Sequence, residues 1–221
     1  MSRANGRLGW NDQDTFDANE LNTIVPYMDI YIAPSAMVAA RSQPATFHAQ
    51  LLMDQAAANE DAQAAWEFVT GTDSECYFSW QFKNFPIDYS DPQIRFAPQF
   101  IQIADASAPA PAEYAYMEFG VGVSYDGTTT DYTTETIEEQ LQCLIPDRRV
   151  NFLAGTSGNQ AALFDGLAGQ GALDSTKWNF LRFEIERYGT SGNDTYGNSI
   201  YLLGVGIQFK TDFNNVAAWP S

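Results

Sequence analysis

The chain is short of positive charge. Its 221 residues carry 11 Lys and Arg against 28 Asp and Glu, a formal net charge of -17. Lysine occurs only at Lys83, Lys177 and Lys210. With a pI near 4.1, such a surface repels phosphate backbones and anionic lipid headgroups, so no direct nucleic-acid contact and no electrostatic membrane-surface binding are expected. Histidine is scarcer still. His48 is the sole histidine, and any Ser–His–Asp or Cys–His arrangement would have to pass through it. It stands in "TFHAQ" with no flanking motif, which marks it as a structural or surface residue. The two cysteines, Cys76 and Cys143, lie far apart. Cys76 falls on the apolar side of an alternating run, which favours a buried free thiol over a disulfide, and no Cys-based metal site is on offer. No apolar run approaches the ~18 residues of a membrane-spanning helix. The opening "MSRANGRLGWNDQD" has neither an apolar core nor a cleavage site, so no classical export signal is expected there.

Catalytic signatures are missing too. There is no G-x-x-x-x-G-K-[ST] phosphate loop and no H-E-x-x-H, and "GVGIQF" lacks the third glycine of a dinucleotide fingerprint. Glu138 and Glu139 are adjacent, but neighbouring acids are expected where acids abound, and no glycosidase pair stands out among them. No catalytic residue, no enzymatic activity and no cofactor are expected. Calcium is the one small ligand the loops suggest. "SYDGTTTDY" and "SGNDTYGN" place Asp126, Asp131 and Asp194, with Asn193, in Gly-rich turns, and their oxygens suit a hard cation. Neither loop matches an EF-hand, and Asp and Asn serve turns without any metal. "NDT" at 193–195 also fits an N-glycosylation acceptor.

What the sequence does hold is core. Hydrophobic residues make up 45% and aromatics 14%, which rules out a wholly disordered chain and suits one large β domain with an arm. In "ECYFSWQFK", Cys76, Phe78, Trp80 and Phe82 share one face. In "YAYMEFGVGVSY", Ala115, Met117, Phe119, Val121, Val123 and Tyr125 do so, with Gly120 and Gly122 bare on the other side. This period of two marks half-buried strands. "QIRFAPQFIQI" is extended around Pro98, which implies an edge or a bulge. Near the end, Leu181, Phe183 and Ile185 alternate inward against Arg182, Glu184 and Glu186. Tyr201, Leu203, Val205, Ile207 and Phe209 form a matching apolar face, and together the two runs are expected to make a terminal hairpin. "DQAAANEDAQAAW" (54–66) is the one candidate short helix. Residues 1–44, with Pro26, Pro34 and Pro44, are expected to be an extended arm docking on a neighbouring subunit or on its own domain, and 45–221 the folded domain. The fold class that follows is all-β: an antiparallel β-sandwich with jelly-roll or Greek-key wiring. "GTSGN" occurs at 155–159 and 189–193 as turn chemistry used twice, with no longer repeat around it. Trp10, Trp66, Trp80, Trp178 and Trp219 are scattered, which favours packing over a sugar-stacking platform.

The stretches "YFSWQFKNFPIDY", "WNFLRFEIERYG" and "GNDTYGNSIYLLGVGIQF" resemble a class of small phage-associated structural proteins over roughly residues 75–210. The resemblance implies a jelly-roll virion subunit of capsid, decoration or head-fibre type. Such a subunit would be homotrimeric, partnered by copies of itself and by other shell proteins, and assembled in the host cytoplasm into the virion. The acidic balance implies an outer position away from the genome, and a saline or halophilic setting in which salt screens carboxylate repulsion. The rival function, from another class, is a carbohydrate- or receptor-binding β-sandwich module, and fold alone does not decide between them.

Overall fold

Alternation along the chain becomes two facing antiparallel sheets. In the computed structural model the described residues are 27–52, 62–102, 113–125, 133–143, 151–152, 154–155, 162–164 and 173–215. Sheet A has seven strands: β1 (Tyr27–Ile32), β3 (Thr46–Leu52), β4 (Ala62–Phe68), β6 (Ile94–Gln102), β9 (Asn151–Phe152), β11 (Ala162–Phe164) and β13 (Ile200–Lys210). Sheet B has six: β2 (Val38–Ala39), β5 (Asp73–Phe82), β7 (Tyr114–Tyr125), β8 (Thr133–Gln142), β10 (Ala154–Gly155) and β12 (Asn179–Tyr188), in the order β10-β8-β7-β12-β5-β2. The pairs β3–β4 and β7–β8 are sequence neighbours. The steps β4 to β5, β5 to β6, β6 to β7 and β12 to β13 all change sheet. This is the antiparallel β-sandwich the alternation predicts, wired by crossovers.

The core lies between the sheets. Phe78 of β5, Phe183 of β12 and Phe96 of β6 stack nearly parallel across the gap, with Phe78–Phe183 centroids 4.9 Å apart and Phe96–Phe183 5.5 Å apart. Cys76, Ala115, Met117, Phe119, Leu181 and Ile185 face the same interior. Both cysteines are buried free thiols. Burial raises the Cys76 thiol well above its ordinary value and pushes Cys143 up to about 12, so neither is a nucleophile.

Trp80 sits at the rim of this core, its ring 4.4 Å from Phe82, 4.8 Å from Phe85 and 5.7 Å from Phe209. Gln81 next to it is exposed on the opposite face. Because Trp80 is only half-buried, Trp80→Ala is expected to cost toward the lower end of about 3–5 kcal/mol, and Gln81→Ala well under about 1 kcal/mol. Equal losses in denaturant titrations would contradict this strand register.

Several expectations are corrected. The terminal runs do not form a hairpin: β12 pairs β5 and β7 in sheet B, whereas β13 pairs β1, β4 and β6 in sheet A. The loop between them therefore crosses from one sheet to the other. The single apolar face expected for β13 is also broken. A register shift lies between Leu202 and Val205, at Gly204 with φ 153°, so Leu202, Val205, Ile207 and Phe209 face the core. Tyr201 and Leu203 instead join Ala65, Ile101 and Leu51 in a small cluster on the far side. Glycine fits Gly204 because a Cβ there would collide with the Tyr31 ring. Residues 62–66 of the expected helix belong to strand β4, where Trp66 and Phe68 are buried and Trp66 Nε1 donates to Pro34 O at 2.8 Å. Tertiary burial of these two aromatics overrides the helix preference of the alanines. Residues 53–61 lie outside the described residues.

Pro98 opposes Val205 beside the bulge. On the other side of β6, β11 reaches Ile94–Phe96 and β9 reaches Ile101–Gln102, so the proline occupies the gap between two short partners. Residues 27–44, expected within an arm, lie on this chain's own sandwich. Strand β1 adds to β13 over six residue pairs, β2 adds to β5, and Met37 and Ala40 are buried.

Candidate functional site

The polar positions of β5, β7, β8 and β12 converge on the outer face of sheet B. Residues directly opposite in an antiparallel pair share a face, with Cβ atoms about 4.5–5.5 Å apart. The register opposes Glu138 to Glu118, Glu118 to Glu186 and Glu186 to Glu75. Four glutamates from four strands thus form one row across the sheet. On one side of it run Thr136, Gly120, Glu184 and Tyr77 in the same manner. On the other side the Tyr116 and Tyr188 rings lie 5.9 Å apart, with Asp73 opposite Tyr188.

Polar contacts tie these rows together. Arg182 approaches Glu184 at 2.9 Å and Glu75 at 3.7 Å, and its guanidinium carbon sits 4.2 Å above the Tyr77 ring, a cation–π geometry. The Tyr116 hydroxyl donates to Glu138, and the Tyr188 hydroxyl lies beside Glu118 and Glu186 with one proton to donate. Burial, then the carboxylates of Glu75, Glu118 and Asp73, pushes Glu186 up to about 7. Glu118 is raised by burial and by Glu138 and Glu184. Glu75 is raised by burial and by Glu184, with Arg182 pulling the other way. Trp178, the residue just before β12, is 59% exposed. Gly120 is itself buried: Glu184 Cβ and Oε2 lie 3.5 Å, and Thr136 Cγ2 3.8 Å, from where a Gly120 Cβ would stand, so the Glu184 side chain covers the glycine.

The loop joining β12 to β13 is anchored from below this face by a buried ion pair. Arg187 directs Nε to Asp194 Oδ2 at 2.7 Å and Nη2 to Asp194 Oδ1 at 2.8 Å. Its remaining N–H groups donate to Phe68 O, Asn198 O and Tyr196 O. Asp194 Oδ2 also accepts the Tyr116 backbone N–H, and Thr195 Oγ1 accepts that of Tyr114. The end of β7 that carries Tyr116 is therefore held by the loop.

Of the three aspartates expected as calcium candidates, Asp194 alone lies among the described residues. Asp126 and Asp131 lie outside the described residues. Asp194 has both carboxylate oxygens on the Arg187 guanidinium, so a cation there would have to displace that partner. Among the described residues no three His, Cys, Asp or Glu side chains converge as a metal set. His48 lies on β3, its Nε2 2.7 Å from Glu67 Oε2, and Ser199 Oγ donates to the other Glu67 oxygen at 2.7 Å. The carboxylate stands between hydroxyl and imidazole, so this order cannot activate the serine as a nucleophile. Trp66 and Trp80 serve packing, as expected, while Trp178 faces solvent. Trp10 and Trp219 lie outside the described residues. The glutamate row escapes sequence reasoning because each member merely occupies a polar slot of its own strand, and only the register aligns them.

No family model matches the sequence, and no curated protein is significantly similar to it. Among solved structures, the chain is similar to a carbohydrate-binding module, TmCBM61, in complex with β-1,4-galactotriose. The identity is 8%, with 84% of this chain and 88% of that one covered and a TM-score of 0.31. It is also similar to the family 11 carbohydrate-binding module from Clostridium thermocellum in complex with a β-1,3-1,4-mixed-linked tetrasaccharide, at 10% identity, 85% and 91% coverage and a TM-score of 0.29.

Proposed function

We propose that the chain is a carbohydrate-binding β-sandwich module whose ligand lies on the outer face of sheet B. The observation that carries this reading is the juxtaposition of aromatic rings and hydrogen-bonding groups on one open sheet face. Tyr77, Tyr116 and Tyr188 share this face with the carboxylates of Glu75, Glu118, Glu138, Glu184 and Glu186, and the exposed Trp178 stands just before β12. A sugar ring presents an apolar C–H face that packs on aromatics and a rim of hydroxyls that donate to carboxylates. The net charge of -17 favours neutral glycans over uronic or sialic acids.

Binding to a panel of neutral and acidic oligosaccharides tests this, by array followed by calorimetry. Trp178→Ala and Tyr188→Ala are each expected to weaken the bound neutral glycan by about tenfold, the equivalent of ~1.4 kcal/mol, with the β circular-dichroism signal kept. Binding to no neutral glycan, or full affinity in both variants, would overturn the reading.

The second reading, a virion-shell subunit, draws on a different feature. Among the described residues β1 is hydrogen-bonded to β13 on one side, and its Tyr27 and Tyr31 are 51% and 55% exposed. An edge of this kind suits strand addition between subunits. Stoichiometric abundance of the protein in purified particles would support that reading, and its absence from them would remove it.

A further inference from the structure

We propose that the four-glutamate row across sheet B is a proton-binding device that changes the charge and the stability of this face between mildly acidic and neutral pH. The inference stands on register and does not depend on what the face binds. Three successive oppositions, Glu138 to Glu118, Glu118 to Glu186 and Glu186 to Glu75, place like charges directly across from one another. Like charges in that position destabilise a sheet. The chain could have relieved them with cations between the carboxylates. Instead, Arg182 makes its ion pairs with Glu184 and Glu75, at one end of the row.

The two inner members have acidic neighbours on both flanking strands. Toward Glu186 point Asp73 and Glu75 from β5 and Glu118 from β7, with Glu184 two residues back on its own strand. Toward Glu118 point Glu138 from β8 and Glu184 and Glu186 from β12. The tyrosine hydroxyls of Tyr188 and Tyr116 supply neutral donors to the row. A proton taken up by one carboxyl replaces a repulsion with a donor, and the row then titrates as a coupled unit. Burial and the surrounding carboxylates raise Glu75, Glu118 and Glu186 alike, Glu186 to about 7.

The sign follows from linkage. A glutamate in the unfolded chain titrates near ~4.3, below its folded value here, so the folded state keeps the proton longer. The stability this confers is fully present below the unfolded value and is lost as pH rises through about 7 for Glu186. The chain is therefore more stable at mildly acidic pH than at slightly alkaline pH.

The test is thermal unfolding of the full chain at several pH values in about 1 M NaCl, where a Debye length of ~3 Å removes long-range repulsion from the acidic surface. The wild type is expected to melt several degrees higher near pH 5 than near pH 8. Glu186→Gln should raise the melting temperature near pH 8 and flatten most of that dependence, while Glu113→Gln, away from the row, should leave it. Carboxyl 13C NMR of the wild type supplies an arm independent of any variant: a glutamate signal with its midpoint near 7, missing in Glu186→Gln. A glutamate set titrating entirely below about 5, or a Glu186→Gln protein with the wild-type pH profile, would overturn the proposal.

Discussion

Asp194→Ala is expected to destabilise the fold by about 3–5 kcal/mol, the range for removing one partner of a buried ion pair. The side chains of Arg187 and Asp194 are both fully buried, and their closest approach is 2.7 Å. All the N–H groups of the guanidinium are used, two on Asp194 and the others on the carbonyls of Phe68, Asn198 and Tyr196. Without Asp194 the arginine remains as a buried charge with three carbonyl partners and no counter-ion, and the Tyr116 N–H loses its acceptor. Arg187→Lys should be nearly as costly, because an ammonium cannot reproduce the planar fork that meets Asp194 and the three carbonyls at once. Equilibrium denaturation of both variants measures this. A loss under about 1 kcal/mol in either would mean that the crossing loop is held by other contacts. Because the same loop grips β7 at Tyr114 and Tyr116, the damage should extend to the sheet B face. Asp194→Ala should then weaken any glycan bound there even under conditions where the protein stays folded.

Phe183→Ala carries the second large effect, about 3–5 kcal/mol. The ring is fully buried and stacks on Phe78 within its own sheet and on Phe96 across the interior, at interplanar angles of 15° and 3°. Deleting it opens a void that neither neighbour can fill without breaking its other contacts, since Phe96 also packs on Phe119. Phe180→Ala, on the outward side of the same strand, should cost markedly less. Comparable losses at the two positions in urea titrations would place Phe183 at the surface and invert the register of β12.

The strand faces were legible where pleat alone decides them. Cys76, Phe78 and Phe82 point inward with Trp80 at the rim, and Leu181, Phe183 and Ile185 do the same against Arg182, Glu184 and Glu186. Pro98 announced the irregularity in its strand. Of the helix expected over 54–66, the described part, residues 62–66, is strand instead, because propensity in an alanine-rich stretch is weak beside the burial of Trp66 and Phe68. His48 was legible as structural, but its tie to Glu67 was not. The calcium idea took Asp194 for a loop oxygen ligand, whereas a guanidinium seven residues earlier in the chain claims both oxygens.

By itself the sequence determined the class of fold, the inward and outward side of most strands, and an acidic surface that disfavours anionic partners. Those are local or additive properties: the two-residue pleat is set within each strand, and charge simply sums. Only the tertiary structure decided which strands pair. It separated β12 from β13, laid β1 along β13, and set Glu75, Glu118, Glu138 and Glu186 side by side. Pairing and register depend on contacts between segments far apart in the chain. Turn-rich connections of the kind that precede β13 serve a hairpin or a crossing between sheets equally well, and burial of the whole core settles which of the two forms.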